Sequence, residues 1–150
     1  MNAVDLDVSE WNKFNQNMLE LAQETMPRET KKFMRREGGR LATTTRKIAR
    51  ATVHRKTGNY FKSIRSSKAW ENKRGGYGVY AYSTRNNNLG NHAHLLEYGH
   101  RVIIRKTNTG KRAKDYRIFE KAGKSFEGKF MSDAVEYIDK LLESNFRSGR

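Results

Sequence analysis

The chain has no cysteine, a single proline (Pro27) and no long apolar run. Without cysteine it can hold neither a disulfide framework nor a thiolate metal site. Without an uninterrupted apolar stretch of roughly 20 residues, no membrane-spanning helix and no membrane contact are expected. The acidic opening segment does not have the pattern of a secretory signal, so a protein made inside a cell is expected. Phosphate-binding loops of the Gly-x-x-x-x-Gly-Lys-[Ser/Thr] type are absent, and Gly75-Gly76-Tyr77-Gly78 lacks the strand-to-helix setting of a dinucleotide site. No Ser–His–Asp order stands out, and no cofactor is expected. Hydrophobic residues are scarce as well, at 35% of 150. That share suits a thin subunit completed by its neighbours, or a folded centre with loose ends.

Aromatic residues are present in number: seven Tyr, seven Phe and two Trp. Disordered chains are poor in such residues, so a folded protein is expected. A chain of this length makes one domain the default. Within it, residues 1–26 read as an acidic N-terminal helix, 27–146 as the core, and 147–150 as a tail without fixed structure. The formal net charge of +15 is unevenly spread. Residues 1–27 carry Asp5, Asp7, Glu10, Glu20 and Glu24 against Lys13, whereas residues 28–56 carry eleven Lys or Arg against Glu29 and Glu37. So basic a surface calls for an acidic partner: nucleic acid, a membrane surface or an acidic protein face. The acidic first helix is itself a candidate partner for a neighbour's basic one.

Hydrophobic spacing predicts an α+β fold: a small antiparallel or mixed sheet packed with a long N-terminal helical region and a C-terminal helix. Trp11, Phe14, Met18 and Leu21 form one helical stripe, with Asp7 or Ser9 as its cap. Ahead of Pro27 the chain is expected to leave helical geometry or kink, since proline disfavours helix at the preceding residue. A second helix is predicted from Pro27 to Val53, with Met34, Gly38, Leu41, Thr45, Ile48 and Thr52 along one seam and a break admitted at Gly38-Gly39. Arg35, Arg46 and Arg50 lie off that seam and are expected to face solvent or a partner. Strands are predicted at Ser63–Trp70 and Tyr77–Ser83 around the turn Lys73-Arg74-Gly75-Gly76. Further strands are predicted at Val102–Ile104 and Tyr116–Phe119, with Lys106–Lys114, including Lys111 and Arg112, as a mobile tip between them. A helical turn at His94–Tyr98 should end at Gly99. The last helix is predicted over Ser132–Asn145, burying Ala134 or Val135, Ile138, Leu141 and Leu142.

Glu97 lies between apolar Leu95 and Leu96 and aromatic Tyr98, so its carboxylate is expected to be partly buried and to need a partner. A salt bridge to one of the many Lys or Arg is the simpler expectation. A catalytic acid is the sharper one, but no second carboxylate stands nearby in sequence to share the work. His92, His94, Glu97 and His100 are ligand types zinc accepts, and a polar loop that happens to hold histidines explains them as well. The metal reading is set aside.

Two stretches carry a resemblance: Thr57-Gly58-Asn59-Tyr60-Phe61-Lys62-Ser63-Ile64 and Ala93-His94-Leu95-Leu96-Glu97-Tyr98-Gly99, followed by Phe130-Met131-Ser132-Asp133-Ala134. In this order, after a basic helix and before a C-terminal helix, they resemble the tail-completion (head–tail joining) proteins of long-tailed bacteriophages. The resemblance covers the chain from about Pro27 onward, and the histidine positions are variable within it. It implies a non-enzymatic virion protein at the neck, made in the host cytoplasm. Its subunits would form a six-fold homo-oligomeric ring between the head-closure connector and the tail-tube or terminator proteins, with genomic DNA passing through the lumen. Thr57, Gly58, Ser63, Ile64, Leu96, Glu97, Tyr98 and Gly99 would then be structural or interaction residues. Arg35, Arg46, Arg50, Lys111 and Arg112 would meet acidic partners or the DNA backbone, with protein partners favoured for the three helix arginines. The alternative from another class is a small basic nucleic-acid-binding protein or ribonuclease-type toxin.

Overall fold

The computed structural model describes residues 9–54 and 57–147. Its first feature is an unbroken helical run in which α1 (Ser9–Glu20) continues through a π turn (Leu21–Thr25) into α2 (Met26–Thr52). The expected departure or kink ahead of Pro27 is replaced by that turn. Thr25 and Met26 both keep right-handed helical angles, and the Met26 N–H donates to the Leu21 carbonyl, five residues back. Proline lacks an N–H and its ring crowds the carbonyl four residues earlier, and a turn wound to i→i+5 makes room for it. Pro27 itself sits in the first turn of α2, as predicted. The cap expected at Asp7 lies outside the described residues, and Ser9 is the first residue of α1.

α2 buries Phe33, Glu37, Gly38, Ala42, Thr45 and Ala49. The predicted seam is therefore right at Gly38 and Thr45, but the buried face is wider, taking in Phe33 and Glu37 on one side and Ala42 and Ala49 on the other. The break admitted at Gly38-Gly39 does not occur, and Gly38 is a point of close approach between helix and sheet. A Cβ there would collide with the Val79 Cγ2 methyl and would also touch Ser66. The tertiary contact outweighs the helix-weakening effect of two glycines. After α2, Val53 leaves the helix in extended geometry, and a short helix α3 (Asn59–Ser63) follows Gly58 at φ 78°.

The sheet is one long hairpin, interrupted midway. β1 (Ile64–Ser66) pairs antiparallel with β4 (Ala81–Ser83), and β2 (Trp70–Glu71) with β3 (Tyr77–Gly78). Between the two pairs, the Ser67 N–H donates to the Tyr80 carbonyl, and Ser67 Oγ accepts the Tyr80 N–H. The tip lies at the predicted turn, where Asn72 Oδ1 accepts the N–H groups of Arg74 and Gly76. Val79 and Ala81 face inward and Tyr80 and Tyr82 outward, the alternation a pleated strand requires. Lys31 of α2 reaches the hairpin through Glu71, at 3.3 Å, and over the Tyr77 ring.

Two expectations for the C-terminal half are corrected. The segment predicted as a mobile tip contains a strand, β6 (Thr107–Arg112), which pairs with β5 (Arg101–Ile104). Its two-residue turn, Arg105-Lys106, takes φ 49° and 66°, the primed geometry that tight hairpins favour. A bulge follows, with the Thr109 hydroxyl donating to the Val102 carbonyl at 2.7 Å. Tyr116–Phe119 is not a strand: it leads into α5 (Ile118–Arg147), a 30-residue helix that begins well before Ser132. Phe130–Ala134 is thus mid-helix. Leu141 is buried as predicted, Ala134 and Leu142 are half-buried, and Val135 and Ile138 are exposed, because the inner face of α5 is carried by Ile118, Ala122, Phe126 and Leu141.

α5 runs antiparallel along α2. Phe33, early in α2, stacks on Tyr137 of α5 at 4.6 Å between ring centroids and lies 5.8 Å from Phe130 in the middle of α5. At the other end, Ile118 joins Ala42, Ala49, Phe61 and Ile64 in the core, flanked by Ile48, Val53, Tyr60, Tyr116 and Phe119. The fold is α+β, with long helices over small antiparallel sheets. No described helix is long and apolar enough to cross a membrane.

Candidate functional site

The two sequence motifs meet in space. Gly58 starts α3, and the Thr57 hydroxyl accepts the Asn59 N–H at 3.3 Å. α3 directs Phe61 and Ile64 into the core and Tyr60 toward α4 (Ala93–Tyr98). There the Tyr60 hydroxyl donates to Glu97 Oε1 at 3.0 Å. The second oxygen, Glu97 Oε2, accepts the Phe119 N–H at 3.2 Å, in the first turn of α5. One carboxylate thereby joins α3, α4 and α5. Leu96, half-buried in α4, and Glu97 also offer their backbone carbonyls to the N–H groups of Tyr116 and Arg117. Ser63, fully buried, donates to the Tyr60 carbonyl and shares a 2.6 Å hydrogen bond with Ser83, closing the start of β1 onto the end of β4.

An intramolecular salt bridge, one form of the expected ion pair at Glu97, is not what the structure holds. Among the described residues its partners are a phenol and a backbone N–H, and it forms no ion pair with Lys or Arg. Exposed N–H groups at a helix start, together with the helix dipole, favour a carboxylate at that place without a cation. Burial and the neighbouring Glu97 carboxylate push the Tyr60 phenol well above its ordinary pKa. Gly99 ends α4 at φ 65°, and a Cβ there would strike the Ala113 carbonyl oxygen, so only glycine fits. Tyr98, by contrast, is 72% exposed and has its carbonyl held by the Arg112 guanidinium at 3.1 Å. His92, His94 and His100 are exposed while the Glu97 carboxylate is turned inward. Among the described residues no group of three or more potential metal ligands is assembled.

Beside this junction lies an open groove of about 990 Å³. Its rim is cationic: Arg46 and Arg50 from the end of α2, Lys62 from α3 and Arg65 from β1, with His54 nearby. Its floor is apolar, formed by Val53, Phe61 and Leu89 beside Gly58. Among the described residues no carboxylate lines it. Arg46 was expected to face solvent or a partner; it lines the groove but is half-buried, its Nη2 donating to the Ile64 carbonyl at 2.7 Å. Burial lowers its pKa, and the charges of Arg65 and Arg50 lower it further. Like charges four apart on one helix face are unfavourable by themselves, so the rim is a concentration of uncompensated positive charge.

The remaining candidates are dispersed. Arg35 is exposed, about 16 Å further back along α2 by helical rise. Lys111 and Arg112 are exposed on β6. Sequence reasoning missed Lys62 and Arg65, which the α2–α3–β1 chain path brings beside Arg46. It also missed Glu37, whose fully buried side chain is gripped by Arg36 and Arg40 at 3.0 Å each. Arg40 extends that network to Asp133 of α5 at 2.6 Å. An acidic residue on the buried arc of α2, three before Arg40, was the available signal.

Compared with protein-family models, curated proteins and solved structures, the chain matches none.

Proposed function

We propose that the chain is a non-enzymatic structural subunit of a tailed-phage neck, a tail-completion, joining or terminator-type protein that assembles as a ring at the head–tail junction. The motif resemblance supplies the identity of the assembly. The observation that carries the assembly itself is the spread of exposed apolar side chains over three separate elements. Trp11 and Leu19 of α1, Ile103 and Ile104 of β5, and Met131 and Val135 of α5 are each more than half exposed. Apolar surface distributed in this way suits a subunit with several neighbours: copies of itself around a ring, a connector above and a tail component below. The Tyr60–Glu97 contact supports the same reading, since it gives both resembling stretches one structural task.

The test is genetic and visual. Removing the chain from a phage that encodes it is expected to leave filled heads and finished tails that do not join. Restoring it should place density for α2 and α5 at the neck in cryo-EM reconstructions. Normal joining without the chain would overturn the reading.

One observation favours a second reading, a basic nucleic-acid-binding protein: the cationic groove. Backbone phosphates would bind there without sequence preference and with a steep salt dependence. Duplex binding that falls by orders of magnitude with added salt, and is lost on Arg50→Gln with Lys62→Gln, would favour it.

A further inference from the structure

We infer that the cationic groove is filled by α1 of a second copy of this chain, giving a directional head-to-tail contact. This names the subunit–subunit contact of the ring proposed above. The contact is argued from the chain itself and relies on the neck reading only for closure into a ring.

Three features fit together. The groove is not a bare phosphate cradle: Arg46, Arg50, Lys62 and Arg65 surround an apolar floor that includes Phe61 and Leu89. Its occupant should therefore be acidic and apolar at once. α1 has that character: Trp11 and Met18, seven residues apart on one helix face, are 62% and 39% exposed, with Phe14 stacked on Trp11 between them. The segment around it carries five carboxylates against Lys13, and Glu20 and Glu24 are exposed. Large aromatic side chains of this kind are the usual anchors of protein interfaces.

The third feature is reach. α1 and the groove stand at opposite ends of one continuous helical run from Ser9 to Thr52. At 1.5 Å per residue, Phe14 and Arg50 are roughly 50 Å apart along it. A chain cannot fill its own groove without breaking that run, so the α1 that fits belongs to another molecule. Such a contact is heterologous, joining two different surfaces, and it either closes into a ring or grows into a filament.

The experiment uses two variants of the full chain. Trp11→Ser with Met18→Ser removes the plug, and Arg50→Glu with Lys62→Glu reverses the socket. All four side chains are exposed, and circular dichroism checks that each variant keeps its helix content. By native mass spectrometry and light scattering, the parent is expected to self-associate and each variant alone to be monomeric. A mixture of the two retains one intact plug and one intact socket, so it should form a one-to-one dimer and nothing larger. If either variant misfolds, Trp70→Phe leaves Trp11 as the only tryptophan, and its emission should shift to the blue as the parent-like chain associates.

Several outcomes overturn the inference. These are a monomeric parent at high micromolar concentration, variants that keep the parental mass, a mixture that does not pair, or a Trp11 emission that stays constant while mass rises. A socket variant that keeps its mass but loses random-sequence duplex DNA would reassign the groove to nucleic acid. Dissociation by Met131→Ser with Val135→Ser, while the Trp11/Met18 variant still associates, would move the contact to α5. Apart from the loss of DNA binding, which would favour the second reading, none of these touches the neck reading, which fails separately if virions prove to lack the chain.

Discussion

Glu37 and Glu97 are both buried carboxylates that fasten α5, and the structure treats them in opposite ways. Glu97 holds the first turn of α5 with two donors that carry no formal charge, Tyr60 and the Phe119 N–H. Glu37 reaches the middle of α5 through a cation, Arg40, which it shares with Asp133. Its second oxygen, Oε2, is buried without a hydrogen-bond partner. The difference lies in what each partner would do if the carboxylate vanished. Tyr60 and the Phe119 N–H would be left without this partner at half-buried positions beside the core. Arg36 and Arg40 are about half exposed and would turn to water. A buried charge therefore matters by what depends on it rather than by how deeply it lies.

The sharpest way to break this comparison is truncation. Glu97→Ala is expected to cost about 1–3 kcal/mol, since it strands two part-buried donors at once. Glu97→Leu should be no better. Glu37→Leu, by contrast, is expected to fall within about 1 kcal/mol of the parent, since an apolar replacement also removes the unsatisfied oxygen. Urea unfolding of the three variants gives the ranking, and equal losses at the two sites would end the distinction.

A second contrast sits one residue along. Gly38→Ala must displace Val79 and is expected to cost about 1–3 kcal/mol by overpacking. Gly39→Ala meets nothing within 4 Å and should gain roughly 0.5–1 kcal/mol of helix stability. Opposite signs at adjacent glycines would show that the sheet, and not helix propensity, governs this turn of α2.

The smallest effect expected is at alkaline pH. The Tyr60 phenol has its pKa raised in the fold, so the folded state keeps a proton that the unfolded chain releases above about pH 10. Its contribution is complete below that pH and declines as pH rises further. Tyr60→Phe should flatten the alkaline limb of a stability–pH curve. It should lower the plateau by less than Glu97→Ala, because the Phe119 bond survives. An unchanged alkaline slope would mean that Tyr60 is not held neutral by this pair.

The parts of the fold that sequence exposed are those where local chemistry and packing agree. α2 announced itself by its apolar spacing, the hairpin by Gly75-Gly76 between alternating strands, and the end of α4 by Gly99. β6 was hidden because Thr-Asn-Thr-Gly-Lys-Arg has no apolar alternation, and because its turn puts Arg105 and Lys106 in a geometry that glycine or asparagine usually marks. The first half of α5 was hidden because Tyr116, Ile118 and Phe119 alternate like a strand, and because Gly123 and Gly128 dilute the helical period. At the candidate site, the burial of Glu97 was legible from its apolar neighbours. Its partners were not, since Tyr60 and the Phe119 N–H lie 37 and 22 residues away. Arg46 and Arg50 stood out as part of a charge run, whereas Lys62 and Arg65 became their companions only through the turn at Gly58.

The π turn ahead of Pro27 also acts as a phase setter. A turn wound to i→i+5 behaves as one residue added to an α-helix, and each residue advances the helix by about 100°. The direction in which Trp11 and Met18 point, relative to the face of α2 that carries the body, is therefore fixed at Leu21–Thr25. A one-residue deletion in this turn would swing the α1 stripe, with buried Leu21, by about a quarter turn around the rod while leaving the side chains that α2 buries in place.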